Sequence, residues 1–193
     1  ATSGTPRHLA LIQPEWEEGH VREEMEAGTA RFLEEYRDYN VTLDIRTYPR
    51  EDDAQCLRLI EEAVEAGAQA MALSVSDTAE LRAALEDLAA RSIPVVTFNS
   101  DVPEGRRLCY VGEDGLHAGR VAGEIASRLL GPADPFLVIY ADPVYSAHRA
   151  RVDGFLERLT ERGISSDNAR ITATHRDYKR TAEAVEDALS VHP

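Results

Sequence analysis

The chain has 193 residues, 43% hydrophobic and 29% charged, a composition that excludes fibrous and disordered classes and fits one domain or two small lobes. The formal net charge of −14 disfavours direct binding to the phosphates of nucleic acid or to anionic membranes. No apolar run approaches the roughly 18 residues of a membrane span, and Ala1 to Pro6 shows no signal peptide.

The first apolar stretch, His8 to Ile12, reads as a short buried strand closed by Pro14. Val21, Met25, Gly28, Phe32, Leu33 and Tyr36 then recur at helical spacing. Glu17 and Glu18 stand before this helix, where negative charge favours the N-terminus. Val41, Leu43 and Ile45 alternate with polar residues as in a strand, ended by Pro49. A helix capped by Asp53 carries Cys56, Leu57, Ile60, Ala63 and Val64, and Gly67 closes it. Ala70 to Val75 is a strand. Asp77 and Glu80 have capping-box spacing and open a helix to about Arg91. Pro94 to Phe98 is a β-branched strand.

The second half repeats the alternation. Leu108 to Val111 is a strand, and Asp114 caps a helix that runs to Leu130 before Gly131 and Pro132. Phe136 to Tyr140 is a strand. Ser146 to Arg162 is a helix stopped by Gly163, Ile171 to Ala173 a strand, and Thr181 to Val191 the last helix. Strand–helix alternation of this kind predicts an α/β fold with parallel sheets. The lobe boundary is expected near Pro103 to Gly112, giving an N-terminal lobe over 1–110 and the first part of a C-terminal lobe over 111–193. Cys56 and Cys109 lack metal or redox spacing, and both read as small core residues.

Open parallel sheets bind ligands beyond the carboxyl ends of their strands. That rule selects the loops Gln13 to His20, Ser74 to Asp77, Asn99 to Val102, Ala141 to Arg149 and Thr174 to Tyr178. Trp16, the single tryptophan, can stack on a sugar or purine face, and His20 follows in the same loop. Asn99, Ser100 and Asp101 directly follow a buried strand and together can read hydroxyl groups. Arg149 and Arg151 are two apart on one helix, so at most one is expected to face a ligand; an arginine fork suits vicinal hydroxyls or a carboxylate. Tyr178 offers an aromatic platform after a strand. Catalysis is not expected: GxSxG, HExxH and phosphate-loop motifs are absent, and the six histidines lack metal-ligand spacing. No cofactor or metal is expected.

Several stretches resemble type I periplasmic binding proteins and the effector domains of LacI-type transcription regulators. They are Pro94 to Pro103 (PVVTFNSDVP), Leu108 to Asp114 (LCYVGED), Ala118 to Gly123 (AGRVAG) and Ser146 to Phe155 (SAHRARVDGF). The resemblance implies two Rossmann-like lobes hinged around a sugar-sized cleft. By position it places Asn99 where sugar binders often carry an Asp, Arg149 at their clamp arginine and Tyr178 at their second-lobe aromatic. Gly19 to Arg22 departs from their usual Asn-Pro-aromatic loop. Family members continue for about a hundred residues beyond the point matching Pro193, so the C-terminal part of the fold is expected to be missing. Gly119 and Gly123, one turn apart, let their helix approach a neighbour closely. The expected function is sensing of a small polar, sugar-like ligand by a LacI-type regulator. Such a protein would be a cytoplasmic homodimer, without membrane contact, that meets DNA only through a helix-turn-helix segment outside this chain. The alternative is a solute-binding protein of a sugar importer, periplasmic or lipid-anchored.

Overall fold

A computed structural model describes residues 5–16 and 19–191, so the expectation for Glu17 and Glu18 lies outside the described residues. The chain divides into two compact units, Ala1–Gly112 and Glu113–Pro193. Each is described by itself.

In unit 1 the elements run β1 (Arg7–Pro14), α1 (His20–Glu35), β2 (Val41–Tyr48), α2 (Asp53–Glu65), β3 (Ala70–Leu73), α3 (Ala79–Ala90), β4 (Val95–Phe98) and β5 (Cys109–Val111). The strands form one parallel sheet in the order β2-β1-β3-β4-β5. Alternate residues of the strands face α2 and α3. Ala10 and Ile12, Met71 and Leu73, and Val95 and Thr97 are buried there with Cys56, Ile60, Ala63, Leu81, Leu85 and Leu88. The opposite face carries Leu9, Leu11, Ala72, Val96 and Phe98, and between it and Met25 and Phe32 of α1 runs an apolar groove of about 450 Å³. None of the α1 residues is buried. Its helical stripe is real, but one helix covers that face of the sheet incompletely.

Local details correct two caps. Asp52, not Asp53, caps α2 by accepting from the Gln55 N–H at 2.8 Å. Thr78, not Asp77, caps α3, while the Asp77 carboxylate pairs with Arg82 Nε at 2.8 Å. Cys56 is fully buried as expected, and burial pushes its thiol up to about 12, which leaves it unreactive. Cys109 is exposed, against the expectation of a core residue, because β5 is the edge of the sheet.

Unit 2 comprises α4 (Gly115–Ala126), β6 (Phe136–Tyr140), α5 (Ser146–Glu161), β7 (Ala169–Ala173) and α6 (Tyr178–Val191), with β6 and β7 paired in parallel. Asp114 caps α4 through the His117 N–H at 2.9 Å. The helices α4 and α5 meet backbone to backbone. A Cβ on Gly119 would lie 2.1 Å from the Arg151 carbonyl oxygen, one on Gly123 2.7 Å from that of Phe155, and one on Gly154 2.1 Å from that of Leu116. The small residues noted in the sequence therefore serve packing inside the unit. Gly154→Ala is expected to destabilise the full-length protein by about 3 kcal/mol, the upper range for overpacking, read from urea unfolding midpoints. Gly28→Ala, where a Cβ would meet nothing within 4 Å, should be neutral or stabilising by up to about 1 kcal/mol in the same assay.

Candidate functional site

The strand order of unit 1 reverses direction between β1 and β3, and a doubly wound sheet gathers its ligand-contacting loops at such a switch point, beyond the carboxyl ends of the strands. Gln13 and Trp16 come from the end of β1. Ser74 and Ser76 follow β3, and Asn99 and Ser100 follow β4. All but Asn99 and Trp16 are buried, and Trp16 is half-buried. Three polar atoms of this rim, Gln13 Oε1, Trp16 Nε1 and Ser100 Oγ, are shielded from solvent and meet no hydrogen-bond partner among the described residues. Such atoms are uncommon, because each leaves a desolvation cost uncompensated.

The rim is rigidly supported. Tyr48 donates its hydroxyl to the Ser74 carbonyl at 2.8 Å, and Ser76 donates to Asp53. The Arg50 guanidinium lies 5.4 Å from the Trp16 ring centroid, a cation–π contact. Asn99 adopts left-handed backbone with φ 59°, which Asn tolerates better than most residues. Its N–H donates to the Val111 carbonyl and its own carbonyl accepts from the Tyr110 hydroxyl, both at 3.0 Å. Its exposed amide reaches Ser74 Oγ at 3.5 Å.

Asp101 has a different local task from Asn99. Oδ1 of its carboxylate accepts from Thr97 Oγ1 at 2.7 Å and from the Val102 N–H at 2.9 Å, and Oδ2 accepts from Arg107 at 2.6 Å. With the carboxylate so engaged, Asp101 braces the β4–β5 connection that carries Asn99. His20 is exposed at the start of α1, 3.8 Å from Glu24.

In unit 2 the loops after β6 and β7 hold charged groups. The Arg149 guanidinium donates to the Pro143 carbonyl. Arg151 pairs with Glu113, its Nε 2.9 Å from Oε2, at one end of a cavity of about 410 Å³ that also takes in Tyr140, His148 and Phe155. Tyr178 is the first residue of α6 and is 88% exposed. Sequence reasoning brought out Trp16, Asn99 and Ser100 but passed over Gln13, His148 and His175. The signal for Gln13 was present, since it stands at the carboxyl end of an apolar strand. Asp142, buried after β6, accepts from the Val144 N–H at 2.9 Å and from His175 Nδ1 at 3.1 Å. His148 Nδ1 lies 3.0 Å from the Asp142 carbonyl.

Residues 9–193 match the periplasmic binding protein domain. The chain belongs to that family. The fold is that of type I periplasmic binding proteins. The chain is similar to the ribose import binding protein RbsB of Bacillus subtilis, 25% identical over 136 residues, a match covering 69% of this chain and 43% of that protein. It is also similar to GanP, a glucose-galactose binding protein from Geobacillus stearothermophilus, with a TM-score of 0.79 and 25% identity over 98% of this chain and 66% of that one. A LacI transcriptional regulator from Bacteroides fragilis has the same fold, with a TM-score of 0.80 and 17% identity over 98% of this chain and 67% of that one. The chain thus spans about two thirds of the two structures.

Burial holds the His148 imidazole below its ordinary value of 6.5, ahead of the opposing pull of the Asp142 carbonyl. The unfolded chain then takes up a proton at this residue more readily than the folded one. Its contribution to stability is therefore full above about pH 6.5 and is lost as the pH falls below it. The melting temperature of the full-length protein is expected to drop between about pH 7 and pH 5, and less steeply in His148→Gln.

Proposed function

We propose that this chain is the sugar-binding domain of a LacI-type transcription regulator. The carrying observation is the uncharged rim at the switch point of unit 1, where Gln13 Oε1, Trp16 Nε1 and Ser100 Oγ are buried without hydrogen-bond partners among the described residues. A polyhydroxylated ligand supplies both donors and acceptors to such a rim, and the Trp16 ring offers it an apolar face. Asn99 reads hydroxyls directly, and Asp101 contributes by fixing the turn on which Asn99 sits. Arg149 and Tyr178, in the ligand-side loops of unit 2, and His20, at the start of α1, are further contacts under this proposal. The sugar-binding names of RbsB and GanP support the ligand class.

The regulator reading draws on the Asp101 to Gly112 pattern and on two cysteines that are not joined, Cys56 and Cys109, which accord with a reducing cytoplasm. The homodimer and the DNA contact, made through a segment outside this chain, belong to the same proposal. Ligand binding would then shift a conformational equilibrium that changes operator affinity. The second reading, a solute-binding protein for a sugar importer, is favoured by the 25% identity to RbsB and GanP against 17% to the regulator. Turnover of the ligand is not proposed, because Asp101 and Glu113 are committed to Arg107 and Arg151 rather than free for acid–base work.

Thermal-shift measurements on the full-length protein with D-ribose, D-glucose, D-galactose and D-arabinose test the ligand class. One or more should raise the melting temperature in proportion to the logarithm of its concentration over Kd. Trp16→Ala should remove the shift while leaving the unliganded protein folded. An absence of any shift with every sugar would overturn the reading. A helix-turn-helix encoded upstream of Ala1 decides for the regulator, and an export signal there decides for the importer component.

A further inference from the structure

The loops that follow β6 and β7 carry a cluster the sequence reading did not use. The Asp142 carboxylate is buried, with its side chain only 10% exposed, and its two oxygens are divided between the Val144 N–H and His175 Nδ1. The His175 N–H donates to the Ala141 carbonyl at 2.6 Å, so backbone and ring are both tied to the β6 loop. His175 and Arg176 are consecutive non-glycine residues in left-handed backbone, with φ of 50° and 60°. Such strain persists where the surroundings over-determine it, and it concentrates at functional sites. Despite this anchoring the His175 side chain is 43% exposed.

A carboxylate on Nδ1 fixes the tautomer of a neutral imidazole, with the proton on Nδ1 and the lone pair on Nε2. The ring then presents a single oriented acceptor at the carboxyl edge of the two-stranded sheet. We propose that His175, oriented by Asp142, is a specificity-determining contact that accepts a hydrogen bond from a ligand hydroxyl. The proposal rests on the sugar-binding reading above. Asp142 is a positioning residue, because it acts through the ring.

The test uses the full-length protein, titrated calorimetrically with D-ribose, D-glucose, D-galactose and D-arabinose at about pH 7.5. His175→Asn, chosen because Asn accepts left-handed backbone, should bind about fivefold to tenfold more weakly than wild type. Its unliganded melting temperature serves as the folding control. Asp142→Asn should weaken binding of the same sugar, and in the double variant it should add nothing to the loss caused by His175→Asn, because Asp142 acts through the ring. If His175→Asn matches wild type in affinity for every sugar that binds, the role of His175 is overturned and the sugar-binding reading stands. If wild type binds none of the sugars, both fall.

Discussion

Parallel pairing of β1 with both β2 and β3 is the constraint from which the rest of unit 1 follows. Crossovers between parallel strands are right-handed. The step from β1 out to β2 and the step back across β1 to β3 therefore put their helices on opposite faces of the sheet. That is why α1 stands apart while α2 and α3 share a face, and why the buried core of unit 1 lies on the α2–α3 side. It also explains the apolar groove beside α1: among the described residues of unit 1 a single crossover helix lies on that face. The same reversal leaves the carboxyl ends of β1 and β3 without a crossing connection, so the rim residues gather there.

Unit 2 depends on a different close approach. Gly115, Gly119 and Gly123 on α4 and Gly154 on α5 remove the side chains that would hold the helices apart. Around this seam Glu124 pairs with Arg158 and Arg162, and Arg120 pairs with Glu157 and Glu161. These pairs lie at the surface, where each contributes little to stability. They fix which faces of the helices meet more than how strongly they hold. The backbone contact sets where α5 begins relative to β6, and through it the position of His148, Arg149 and Arg151.

The strand–helix order was legible in the sequence because period-2 and period-3.6 apolar patterns are local. Every strand and helix read from the sequence is present, with ends displaced by a few residues. What was not legible is what depends on distant partners. Asp52 and Asp53 are adjacent and chemically alike, and only the backbone bend chooses the cap. Cys109 reads as a core residue in any strand pattern until its strand proves to be an edge. Asp101 has the right chemistry for reading hydroxyls, but Arg107 and Thr97 occupy its carboxylate. His175 falls in a loop that the strand-end rule selects, but its pairing with Asp142 has no local signal, since the two lie 33 residues apart.

The two rims differ in how they meet the cost of burying polar groups. In unit 2 that cost is compensated within the protein: Asp142 has His175 and the Val144 N–H, and the desolvated His148 is held neutral. In unit 1 the Gln13, Trp16 and Ser100 atoms carry it without compensation from the described residues, at about 1 to 3 kcal/mol for each unsatisfied group. A ligand hydroxyl that reaches them removes that penalty as well as adding its own hydrogen bond. An analogue lacking the hydroxyl leaves the penalty in place. Under the proposed sugar-binding reading, discrimination between closely related ligands is therefore expected wherever a ligand hydroxyl meets a polar atom that the protein leaves without a partner among the described residues, as on the unit 1 rim, or an acceptor that it holds in one orientation, as at His175.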